Sequence, residues 1–142
     1  TEEAQITPTT LAQGEELSTD KNSQATLTFI NRATLTMQDE TTLGLVQTLP
    51  SNILIQQDKG SVSYEKYDNT ILSIDSLRLL LNTPKTTTIF TVTVANQIVS
   101  VSVQKGILTA AFNTLTNRTT VLSIKEGHLY TFNSQTTRGI LN

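Results

Sequence analysis

The chain has 142 residues, of which 37% are apolar, 15% charged and 5% aromatic, with a formal net charge of −2 and no cysteine. That length fits one domain with a real core and is short for two. The charge balance leaves no basic stripe for phosphates, which argues against nucleic acid as a partner, and the lack of thiols excludes disulfide scaffolds and thiolate metal centres.

Residues 1–13, "TEEAQITPTTLAQ", read as an extended N-terminal arm, because Pro8 is unsuited to a helix interior. Gly14 ends the arm. "SQATLTFI" (23–30) alternates Ala25, Leu27 and Phe29 with Thr26 and Thr28, and "ATLTMQ" (33–38) resumes the pattern after Asn31-Arg32. This pair has the signature of a hairpin. "TTLGLVQTL" (41–49) is a third strand, with a bulge or close approach expected at Gly44. Pro50-Ser51-Asn52 forms a turn cluster. Ile53 and Ile55, a polar corner at Lys59-Gly60, then Val62 and Tyr64 read as another hairpin. "YDNT" (67–70) is a loop, and "ILSIDSLRLLLN" (71–82) is expected as one strand. The strongest β region is 86–112: Phe90, Val92 and Val94, a turn at Asn96-Gln97, then Val99, Val101 and Val103, and a turn at Lys105-Gly106. A polar loop (113–120), a last hairpin (121–132) and a tail (133–142) complete the chain.

One phrase recurs at 53–65, 101–112 and 122–132: an alternating strand, a polar corner with a glycine, and a second alternating strand. Gly60, Gly106 and Gly127 are expected at positive φ in these tight turns, where a side chain would clash. The copies are unevenly spaced, so they are not solenoid repeats. Sustained alternation means one buried and one solvated face per strand. The expected fold is all-β, an antiparallel, jelly-roll-like β-sandwich with an extended arm. Its surface is rich in threonine, 27 residues in all, a β-branched side chain that is polar without charge. Such surfaces suit extracytoplasmic proteins. No apolar run reaches the 18 or more residues of a membrane helix. The start at Thr1 fits a processed chain.

The order of these pieces resembles the FecR-like domain of bacterial cell-envelope proteins. The opening runs from Leu17-Ser18-Thr19 through Ser23, Ala25, Leu27 and Phe29 to Thr41 or Thr42 and Leu43. The first strand pair is Ile53, Ile55, Gly60 and Val62, and Thr83-Pro84 stands at the family's "TP". Thr88, Phe90, Val92 and Val94 follow at the family's distance. Val101, Val103, Gly106 and Ile107 resemble the closing hairpin, and Val121 to Gly127 a following one. The match covers roughly 14–132, which is read as the domain. The family's glycine before the "T.F.V" segment is absent, with Thr87 near its place. The resemblance implies an extracytoplasmic β domain and carries over no catalytic residue and no signalling mechanism.

The residues themselves advertise little chemistry. His128 is the lone histidine, without company for a triad or a zinc site. Asp39-Glu40 and Glu15-Glu16 are adjacent acids, which a strand would send to opposite faces. Asp58 and Asp68-Asn69 fit turn chemistry better than a calcium loop. No metal, cofactor or catalytic group is expected.

What remains is surface. "TIFTVTVANQIVSVSV" (88–103) carries almost no charge. Either it is central and already paired, or Phe90, Val92, Val94, Val99, Val101 and Val103 mark an edge that accepts another strand. In the second reading the arm, with Ala4, Ile6 and Leu11, supplies the donor strand. The leading expectation is a non-enzymatic, extracytoplasmic protein-interaction module, most simply a self-assembling filament subunit working by strand exchange. The partners are then copies of itself or another envelope protein, without nucleic acid and without membrane insertion. The alternatives are a FecR-like sensor or adaptor domain that binds a partner protein, and a carbohydrate- or ligand-binding β-sandwich.

Overall fold

The computed structural model describes residues 12–49 and 51–142. Ala4, Ile6 and Leu11, expected as the donor arm, lie outside the described residues. Among the described residues there are thirteen strands and no helix. They are β1 (Glu16–Ser18), β2 (Ala25–Phe29), β3 (Ala33–Met37), β4 (Thr42–Leu49), β5 (Asn52–Lys66), β6 (Ile71–Ser76), β7 (Leu79–Asn82), β8 (Thr88–Ala95), β9 (Ile98–Lys105), β10 (Ile107–Asn113), β11 (Thr119–Lys125), β12 (Leu129–Asn133) and β13 (Arg138–Leu141).

The strands form two sheets that share β5. One sheet runs β1-β4-β5-β6-β7-β10-β11. The other runs β2-β3-β5-β8-β9-β12-β13. Every pair is antiparallel except β5–β6, which is parallel. The all-β sandwich expected from the alternation is the fold observed.

The repeated phrase is not a hairpin in any of its three copies. The segment 53–65 lies within one 15-residue strand, β5. Its first half pairs with β4 and β6, and its second half with β3 and β8. The change falls at Lys59-Gly60, where Lys59 pairs with Thr42 and Gly60 with Val94. At Lys105-Gly106 the chain leaves β9 in one sheet and enters β10 in the other. At Glu126-Gly127 it passes back from β11 to β12. The glycines do have the expected positive φ, of 90°, 85° and 84°. They serve corners at which the chain changes sheet.

The inward phase of the strands shows why a corner mimics a hairpin. On β5 the buried positions are Ile53, Ile55 and Gln57, then Val62, Tyr64 and Lys66. From β9 to β10 they are Val99, Val101 and Val103, then Leu108, Ala110 and Phe112. The parity flips at Gly60 and at Gly106, so the same core is faced from two sheets, while across Gly127 it is kept, with Ile124 buried before the glycine and Tyr130 and Phe132 after it.

Other expectations shift locally. The stretch 71–82 is two strands, β6 and β7, joined at Leu77-Arg78, with Leu77 at φ 55°. The bulge expected at Gly44 lies next to it, at the register shift between Leu45 and Gln47. The tail expected at 133–142 contains β13, which pairs with β12. Asn96 and Gln97, at φ 52° and 68°, make the tight β8–β9 turn as read.

Two buried polar side chains tie the corners to the sheets. Gln57 Nε2 donates to the carbonyls of Val92 (2.8 Å) and Gly60 (3.1 Å), while Gln57 Oε1 accepts from the Tyr64 hydroxyl at 2.6 Å. Lys66 is buried, and its Nζ donates to the carbonyls of Pro84 (2.6 Å) and Thr86, which clamps the loop from β7 to β8. Burial lowers the Lys66 pKa from the ordinary lysine value, and the Asp68 carboxylate opposes part of that.

A depressed lysine pKa has a definite sign in stability. Between the folded and unfolded values the unfolded chain holds more protons, so stability rises with pH toward about 10.5. Lys66→Met should abolish that rise. Urea midpoints of both proteins, taken from neutral pH to about pH 10, test it. The buried Tyr64 hydroxyl, whose pKa is raised by burial, opposes the trend only above its ordinary value of 10.0. Parallel curves for the two proteins would mean that the ammonium does not feel its burial.

Candidate interaction edges

The proposed acceptor residues are not at an edge. β8 is paired on both sides, to β5 and β9, and β9 to β8 and β12. Phe90, Val92, Val94, Val99, Val101 and Val103 are all buried in the core. Their low charge reflects a central position between two partners. The outward face of these strands instead carries hydroxyls in register: Ser61 bonds Thr93 at 3.0 Å and Ser63 bonds Thr91 at 3.3 Å.

Among the described residues, the strands with a partner on one side only are elsewhere. In the first sheet they are β1, of three residues, and β11, of seven. In the second they are β2, of five, and β13, of four. Phe112 on β10 packs on Phe132 of β12, with ring centroids 4.8 Å apart. The strands next outward, β11 and β13, therefore border the same side of the sandwich.

That side is apolar for an exposed surface. Val121 is 61% exposed, Ile140 64%, Leu141 48% and Leu129 41%, while Leu122 is half-buried against the core. Exposed apolar side chains beside open backbone are the physical basis of strand addition. His128 sits at the corner entering β12, exposed, with Nδ1 3.0 Å from the Asn142 carbonyl.

The β11 and β13 edges were missed from the sequence. Val121 was visible there as an apolar residue beginning a short alternating stretch. What marks it as exposed is the phase of β11, which buries Ile124 and turns Val121 outward.

A groove lies at one end of the sandwich, with a volume of about 590 Å³. Asp39 and Glu40 sit on the turn before β4, not on a strand, and both line the groove together with Asp58, Asn96 and Gln97. The Asp75 carboxyl is raised by burial, with a further push from the Asp58 charge. No aromatic ring lines the groove. Asp68 takes up turn chemistry: its Oδ1 accepts from the Thr87 amide and hydroxyl, both at 2.7 Å, and these bonds lower its pKa.

This arrangement defines the chain as a two-sheet β domain with open strand edges. No family model matches it, and no curated protein matches it. Two crystal structures of a putative anti-sigma factor from Parabacteroides distasonis ATCC 8503 share its fold, each with a TM-score of 0.75 at 10% identity. The alignment covers 90% of this chain and 59% of that protein's.

Proposed function

We propose that this chain is a non-enzymatic, extracytoplasmic protein-interaction domain of FecR-like type, holding a protein partner by strand addition at β11 and β13. The observation that carries this reading is the pair of edges on one side of the sandwich that have no second partner among the described residues, with Val121, Leu129, Ile140 and Leu141 exposed on or beside them. The order of sequence motifs and the fold shared with the Parabacteroides protein support it. A carbohydrate-binding reading draws on the carboxylates gathered in the groove. The edges favour protein over sugar, because the groove offers no ring on which a sugar could stack.

A photo-crosslinking residue placed at Val121 or Ile140 should yield a discrete adduct with a protein of the cell envelope. The same residue at Thr93, on the hydroxyl face, should yield none. Equal labelling from all three positions, or none from the edges, would overturn the reading.

A further inference from the structure

We infer that the occupant of the β11 edge is the N-terminal segment 2–7 of a second copy of this chain, added as an antiparallel strand. The inference rests on the edge-binding reading above and names its partner.

The first argument is where the arm leaves the domain. The Gly14 amide donates to the Leu45 carbonyl (2.6 Å), and the Thr48 amide donates to Gln13 Oε1 (3.1 Å). Residues 12–14 thus lie along β4, at the β1 edge of the first sheet. β11 is the opposite edge of that sheet, six strand spacings away. At about 4.8 Å per spacing this is roughly 29 Å across the sheet. Eleven extended residues reach about 38 Å at most. Crossing to its own β11 would consume eight or nine of them and leave too few to pair. A second copy's edge has no such cost.

The second argument is charge. The segment 2–7 contains Glu2 and Glu3 and no Lys or Arg. β11 is bracketed by Arg118 and Lys125. A lone Lys on an edge strand discourages pairing, and an acidic arm reverses that effect.

The third argument is register. Setting Glu3 opposite Lys125 places Gln5 opposite Ser123 and Thr7 opposite Val121 on the outer face. The same register sets Ala4 opposite Ile124 and Ile6 opposite Leu122, on the face that β11 turns to the core. Pro8 then falls at the end of the pairing, where its missing N–H does no harm. Each copy offers one arm and one edge, so the contact is heterologous and propagates head to tail.

The chain has no cysteine, so an introduced pair reports without background. Full-length protein carrying Gln5→Cys and Ser123→Cys should form a ladder of disulfide-linked dimers, trimers and larger species on oxidation. The pair Gln5→Cys and Thr131→Cys, on a strand of the other sheet, should not. Adding Ile6→Asp to the first pair should cut the ladder by at least tenfold, with light scattering falling to monomer mass. Monomer only, or equal ladders from both cysteine pairs, would overturn the inference. If the pure protein is monomeric while a crosslinker at Val121 still captures a different envelope protein, the arm proposal fails and the edge-binding reading stands.

Discussion

Gly60→Ala should be among the most damaging single changes in this chain, lowering stability by about 3–5 kcal/mol. Gly60 sits at φ 90°, and a Cβ there would lie 2.1 Å from Thr41 Oγ1 and 2.5 Å from the Thr41 backbone. The left-handed conformation alone costs a side chain about 1–3 kcal/mol, and the clash adds a further ~1–3 kcal/mol of overpacking. Thr41 cannot simply rotate away. It is buried, and its hydroxyl accepts the Ser61 amide at 3.1 Å, which fixes the same corner from the other side. Gly127→Ala is the internal control. It has a similar φ of 84° and nothing within 4 Å of the added Cβ, so it should cost only the conformational part, about 1 kcal/mol. Urea unfolding of the two variants measures the difference. Equal losses would mean that Thr41 does not restrict the corner.

Gln57→Leu should cost about 3–5 kcal/mol although it puts an apolar residue in an apolar core. It strands the Val92 and Gly60 carbonyls and the Tyr64 hydroxyl together. Each buried group left without a partner costs about 1–3 kcal/mol. Tyr64→Phe removes only the last of these contacts and should cost about 1–2 kcal/mol. In the double variant the two losses should add to less than their sum, because the hydroxyl that Gln57→Leu leaves stranded is gone. Denaturant midpoints for the full cycle give the coupling. Simple additivity would show that the Tyr64–Gln57 hydrogen bond contributes nothing.

Both residues show how far the sequence could be read. Alternation located many of the buried apolar positions, among them Phe29, Ile53, Ile55, Val62, Tyr64, Phe90, Val92, Val94, Val99, Val101 and Val103. It could not tell a hairpin from a corner, because both place a glycine between two alternating runs. The distinguishing fact is which strands pair, and that is non-local. Gln57 and Lys66 were legible in principle: each continues the buried phase of its half of β5, behind Ile55 and Tyr64. They were passed over because a polar side chain in phase with a core reads as noise until its partners are known. The split at Leu77-Arg78 has no local signal, since Leu77 takes φ 55° without being Gly or Asn. β13 has four exposed residues and no alternation to reveal it.

The candidate edges were the least legible part. "TVTV…VSVSV" looked unguarded because it lacks charge, yet the burial of its strands explains that fully. β11, one of the edges among the described residues, carries Lys125 at one end. A guarding charge marked it better than apolarity did.

The shared strand has a consequence for how the domain comes apart. β5 gives one half of its backbone to each sheet, so there is no seam along which one layer can peel off while the other survives. Loosening the Gly60 corner withdraws hydrogen bonds from β4 and β8 alike. The two layers therefore melt as a single cooperative unit. A pull applied at one open edge is resisted by the whole domain.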